Sequence, residues 1–243
     1  MIGLKIIIFI LPLSLFLSNF RKISILKNDM TAENMVKDFL FPLPQKSILI
    51  VSSDTTVFNS QYVRYVLGFR DDVIVLSYPH MPAPYYKKAI KKHFPGLVLS
   101  DEPRHKENLE EFVKSNIENY PIFFDGRTFD PEENWLPYGL TWQYLLQEDQ
   151  PATASVVSRN LKIWSEFNDP LSKSLGKYRN LYLADVLRVY QNSRIIFGEY
   201  LILNDYLDEA QEFFEKAKEL KADNDKVYIG LGVVSLKRGQ CQS

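Results

Sequence analysis

The chain has 243 residues, 46% apolar and 24% charged, which admits one large domain or two modest ones and excludes wholesale disorder and collagen-like sequence. Lys and Arg total 29 against 30 Asp and Glu, a net charge of −1, whereas a dedicated nucleic-acid binder is usually basic, so nucleic acid is not expected as a partner. The single cysteine, Cys241, excludes an internal disulfide and any Cys-based zinc cluster.

Charge is uneven along the chain. Residues 1–28 hold Lys5, Arg21, Lys22 and Lys27 and no acid, +4 in all, which leaves −5 for the remainder. Between Lys5 and Arg21 runs an uncharged segment, 6–20, dominated by Ile, Leu and Phe. With Met1–Leu4 counted and Lys5 snorkelling, the run just reaches the lower limit of about 17 residues for a bilayer span. The expectation is a transmembrane helix over 1–22 in contact with membrane lipid. A cleaved secretory signal fits the length too, although no small-x-small cleavage site follows. A buried core helix fits less well, because it would tolerate Pro12 poorly and would show a polar face. Three basic residues follow the span and one precedes it, which by the positive-inside rule puts the bulk of the chain in the cytoplasm.

A short helix over 32–40 leads to the apolar run 48–51, which stops at Ser52-Ser53-Asp54-Thr55-Thr56. Phe58, Tyr62, Tyr65, Val66 and Phe69 follow at helical spacing. Further strands are predicted at 73–76, 97–99 and 121–124, with helices at 85–94 and 108–117 and a fifth strand at the sheet edge over 140–146. Short strands without alternation, joined by helices, predict an α/β fold with a small parallel sheet covered on both faces, spanning residues 23–150.

In such sheets ligands sit beyond the carboxyl ends of the strands, near the switch in strand order. That rule gathers Ser53, Asp54 and Thr55, then Tyr78 and His80, then Asp101, then Asp125 and Arg127 as candidate ligand-binding residues. The competing reading makes Asp54 or a neighbouring Ser or Thr a helix cap, and Asp101 and Asp125 strand-exit turn residues. No glycine follows the first strand, which disfavours a dinucleotide or P-loop site. His80, His93 and His105 are scattered with no partner four residues on, and no Gly-x-Ser-x-Gly elbow occurs. No cofactor, metal site or catalytic residue is expected from these motifs.

Residues 151–190 read as a helical connector and 191–243 as one full tetratricopeptide unit with part of a second. Gly198 and Gly232 lie 34 apart, as do Ile195 and Ile229, and Ala210, Phe214 and Ala217 follow Gly198 at 12, 16 and 19 residues. Small residues mark close helix crossings in that pattern, and the aromatic plugs the gap between them. Ala222 stands where the usual proline falls, and an ordinary helical hairpin is the plainer alternative. Such a repeat implies a protein partner.

In order, these features are the hydrophobic helix ending in Leu17-Ser18-Asn19-Phe20, the strand and turn Ser47-Ile48-Leu49-Ile50-Val51-Ser52-Ser53-Asp54, the run from Tyr62 to Leu76, and Trp135-Leu136-Pro137-Tyr138-Gly139-Leu140. Together they resemble the post-membrane region of GT-C-type, protein O-mannosyltransferase-like membrane proteins. In that family a multi-span bundle precedes an extracytoplasmic α/β region, often followed by tetratricopeptide repeats. The family's catalytic acid lies in the first extracytoplasmic loop of the bundle, which has no counterpart beside a single span, so no catalytic residue carries over. Relatives often place Asn or Gly before the aspartate where this chain has Ser53. The resemblance implies an extracytoplasmic location, against the basic-residue count, because the last span of a bundle inherits its orientation. It also implies a non-catalytic portion of a membrane glycosyltransferase-like protein that binds acceptor or partner. The alternatives are a membrane-anchored repeat scaffold binding a protein, and a small-molecule enzyme built on the α/β unit.

Overall fold

The computed structural model describes residues 2–27, 29–99, 109–125, 134–170, 181–220 and 224–239. Its elements, in order, are α1 (Ile2–Lys27), α2 (Thr31–Leu40), β1 (Ile48–Val51), α3 (Asp54–Tyr65), β2 (Ile74–Ser77), α4 (Pro84–His93), α5 (Leu109–Asn116), β3 (Ile122–Phe124), β4 (Trp135–Tyr138), β5 (Thr141–Tyr144), α6 (Thr153–Glu166), α7 (Leu181–Leu203), α8 (Leu207–Leu220) and α9 (Asp225–Lys237).

The five strands form one sheet in the order β2-β1-β3-β5-β4. β1 pairs in parallel with β2, Ile48 opposite Ile74, and with β3, Ile48 opposite Ile122. All four residues of β1 are fully buried, which explains an apolar run without alternation. Leu49, Val51 and Phe123 point into a core shared with α2, α3, α6 and the C-terminal helices. Ile48, Ile50, Ile122 and Phe124 point into the opposite core, with α4 and α5.

The parallel-sheet α/β expectation is corrected here: the sheet is mixed, and helix outweighs it. Beyond β3 the chain doubles back as a hairpin, and β5 pairs antiparallel with both β3 and β4. β5 is therefore interior, and β4 takes the edge that was predicted for 140–146. The hairpin turn is Gly139-Leu140, with Gly139 at φ +63°, as a two-residue loop with glycine first requires. A Cβ on Gly139 would also lie 2.8 Å from the Phe167 ring. Buried Asn160 of α6 fixes the turn: its carbonyl oxygen accepts from Gly139 N–H at 2.8 Å, and its amide donates to Pro137 O at 2.8 Å.

The segment 97–99 is not a strand. The Asn116 side chain accepts from Val98 N–H and donates to Val98 C=O, both at 2.9 Å, so a side chain satisfies the groups that a sheet partner would have taken. Both edges of β1 are already occupied by β2 and β3.

The transmembrane expectation for 1–22 is corrected as well. Among the described residues no helix is long and apolar enough to cross a membrane. The uncharged run between Lys5 and Arg21 holds 15 residues, with Pro12, Ser14, Ser18 and Asn19 inside it. That is well short of the ~20 apolar residues of a span. The membrane-anchored, extracytoplasmic location inferred from that span loses its basis with it.

α7, α8 and α9 pack as successive antiparallel neighbours. The Phe214 ring of α8 lies between two glycines, Gly198 of α7 and Gly230 of α9, whose missing Cβ atoms would come within 2.8 Å and 2.2 Å of it. Gly232, the residue 34 positions after Gly198, meets nothing within 4 Å. Thus α8 covers α7 where α9 lies open. α2 is tied to this layer by Asp38, only 1% exposed, whose carboxylate accepts from Asn168 N–H at 2.9 Å, the Asn168 amide at 3.0 Å and Tyr190 OH at 2.5 Å.

Candidate functional site

The connection from β1 through α3 leads to β2, and the chain then crosses back over β1 to reach β3. The switch in direction lies between β1 and β3, and a crevice opens at the carboxyl ends of two strands whose connections diverge. A cleft of about 450 Å³ occupies that place. Its floor holds Ser52, Ser53 and Asp125, and its other wall is one face of α7 with Asp185, Arg188 and Asn192.

Each floor residue is set by the strand it leaves. Asp125 continues the sheet by one bond, its N–H donating to Ile50 O at 3.1 Å. Its carboxylate turns back across the gap to accept from Ser52 N–H at 2.7 Å. Burial pushes the Asp125 carboxyl up to about 6, with the Ser52 hydrogen bonds opposing that shift. Ser53 caps α3: its Oγ accepts from Thr56 N–H at 3.2 Å and lies 2.9 Å from Thr56 Oγ1. Thr55 Oγ1 donates to Asp185 at 3.0 Å, joining the start of α3 to α7, and Asp185 pairs with Arg188 at 2.8 Å.

Ser53 therefore combines the two competing sequence readings, being both helix cap and cleft wall. Asp125 belongs to the cleft, and Thr55 braces its rim. Asp54 sits exposed in the first turn of α3, outside the lining. His80 lies after β2 in a short 3-10 turn, its Nδ1 2.7 Å from Ser77 Oγ and its ring against Tyr86, away from the cleft. Tyr78 of the same turn stacks at a tilt on Phe124. Asp101 and Arg127 lie outside the described residues.

Sequence reasoning missed the α7 wall and, beyond it, Asn224 and Lys226 at the start of α9. The signal was available: Asp185, Arg188 and Asn192 recur at three and four residues, a polar stripe on one helix face. That stretch was divided between a connector and a repeat, whereas α7 runs unbroken through position 190.

Among the described residues of the lining, two acids and two bases balance, Asp125 and Asp185 against Arg188 and Lys226, with hydroxyl and amide groups between them. Among the described residues the lining has no histidine or cysteine, and Ser53 is engaged by Thr56. Among the described residues no cluster of three His, Cys, Asp or Glu side chains could hold a metal ion. The arrangement can bind and orient a polar molecule.

The raised Asp125 pKa has a measurable consequence. An acid held above its unfolded value of about 3.9 contributes stability below pH 4 and loses it as pH climbs through 6. Asp125→Asn keeps the acceptor for Ser52 and removes the charge. The variant should be more stable than the parent at pH 7, by about 2–3 kcal/mol, and equal to it below pH 4. Urea titrations at the two pH values check this, and a pH-independent difference contradicts it.

Comparison with family models, with curated proteins and with solved structures finds no match to this chain.

Proposed function

We propose that the chain is a ligand-binding portion of a glycosyltransferase-like protein, its cleft receiving a net-neutral, hydroxyl-rich molecule of acceptor type. The observation that carries this reading is the composition of the cleft at the sheet's switch point. Among the described lining residues the charges cancel, and Ser53, Asn192 and Ser193 offer hydrogen-bonding partners of both kinds beside a half-buried carboxylate. A neutral polyol exchanges its water for such groups without leaving a charge unpaired, whereas a multiply charged ligand would. The resemblance of the sequence to O-mannosyltransferase-like proteins supports a sugar-bearing ligand.

Titration of the protein with a neutral mannose disaccharide, followed by amide NMR shifts, tests the reading. Shifts should cluster at Ser52, Ser53, Asp125 and Asn192, and Asn192→Leu should weaken binding about tenfold, the loss of one or two hydrogen bonds. Shifts scattered elsewhere, or none at tens of millimolar sugar, would sink it.

A second reading, partner binding through the helical pairs, draws on the open face of α9, where Ile229 and Leu236 are 64% and 63% exposed beside Gly232. The two separate on Leu236→Glu, which leaves sugar binding intact and removes any partner held by α9.

A further inference from the structure

At the outer edge of the sheet, α3 and α4 flank β2, one on each face. α3 presents Val57, Gln61, Arg64 and Tyr65, and α4 presents Tyr86, Ala89, Ile90 and His93, both at helical spacing. Between them lies a groove of about 150 Å³ whose floor is Val75, Leu76 and Ser77 of the edge strand.

Arg64 is out of place in such a groove. It is only 5% exposed, its Nε is buried with no hydrogen-bond partner, and its Nη2 reaches a single carbonyl, Asp71 O, at 3.3 Å. Its guanidinium lies 5.2 Å from the ring centre of Tyr65, another residue of the groove wall. Among the described residues no carboxylate pairs with it. A buried cation without a counter-charge costs several kcal/mol. α4, across the groove, carries Lys87, Lys88, Lys91 and Lys92 and no acid.

We propose that this groove binds a short aliphatic carboxylate, the carboxylate seated on Arg64 and the hydrocarbon on Val75, Ile90 and Phe94. Nε is closed off inside the protein, so the carboxylate meets the guanidinium end-on at Nη1 and Nη2, which match its two oxygens, Nη2 being held only by the long bond to Asp71 O. Tyr86 OH accepts from Ser77 N–H at 2.8 Å and keeps its own proton to donate. The volume limits the occupant to a carboxylate with a few carbons. That group arrives either on a free small acid or on a glutamate of an extended segment laid along the β2 edge.

The test is titration of the full chain at constant ionic strength with sodium butyrate, with neutral butyramide, and with a blocked Val-Glu-Val peptide, monitored by amide shifts of Gln61, Ser77 and His93. Saturable shifts with butyrate and none with butyramide are expected. Response to the peptide alone assigns the carboxylate to a partner strand and equally supports the site. Arg64→Met removes the unpaired charge, so it should fold at least as well as the parent and bind at least tenfold more weakly. Should that variant not fold, Gln61→Glu serves instead. It changes an exposed residue one turn before Arg64, and its internal carboxylate should compete for the guanidinium and weaken butyrate at least tenfold. Equal response to butyrate and butyramide, no response to either carboxylate, or undiminished binding in the variant overturns the proposal.

Discussion

Replacing Phe214 by alanine should cost about 3–5 kcal/mol, shifting the urea midpoint without changing the slope of the transition. The ring is fully buried and is the one group of α8 that touches both neighbouring helices at glycine. Removing it opens a cavity at two crossings at once, and neither Gly198 nor Gly230 has a side chain to move into it. The glycines sharpen the expectation. Alanine is the better helix former by about 1 kcal/mol, so propensity alone makes Gly230→Ala and Gly232→Ala both stabilising. Packing reverses the first. A Cβ at 230 would lie 2.2 Å from an enclosed ring, and the resulting strain costs about 1–3 kcal/mol. At 232 nothing stands within 4 Å, and the gain of up to about 1 kcal/mol should appear in full. Opposite signs two residues apart are the expected result. Leucine at 214 should recover part of the Gly230→Ala loss, because the two positions share one contact. Two stabilising substitutions would mean that α9 does not pack on Phe214.

The second large effect is expected at Asp38. Its carboxylate, buried in α2, accepts three hydrogen bonds from groups 130 and 152 residues away in sequence. Asp38→Ala takes the acceptor from the buried Tyr190 hydroxyl and from half-buried Asn168, at a cost of about 3–5 kcal/mol. Burial, then the neighbouring Asp38 charge, hold the Tyr190 hydroxyl well above its ordinary pKa, so it stays a donor through alkaline pH. Asp38→Asn keeps one acceptor oxygen and should lose less than half as much. Equilibrium urea unfolding of the two variants decides the matter. A loss under 1 kcal/mol for alanine would mean that α2 is not held to α7 through this carboxylate.

Legibility in the sequence followed the range of the interaction. β1 was readable because four consecutive apolar residues have few other places to go, and its partner strands β2 and β3 announced themselves in the same way. Residues 97–99 have the same composition and did not become a strand, because Asn116, 18 residues on, claimed the backbone of Val98 first. The antiparallel hairpin was hidden by Pro137 and by strands whose apolar residues do not run as one block, Trp135, Trp142 and Tyr144 filling one face while their neighbours in sequence face the other. At the cleft, Ser53 and Asp125 were found because strand ends are local features. Asp185, Arg188 and Lys226 were not, because a helix face becomes a wall only when something else stands opposite it.

Local pattern by itself determined helices α2 to α5 and strands β1 to β3, the buried course of β1, and the glycine–aromatic spacing of the last three helices. Those properties depend on residues a turn or a strand apart. The tertiary structure alone decided that the sheet is mixed, that Gly230 rather than Gly232 receives the Phe214 ring, and that α7 closes the cleft over Asp125. Each of those outcomes depends on which distant group reaches a backbone or a vacant Cβ position first, and no periodicity along the chain encodes that.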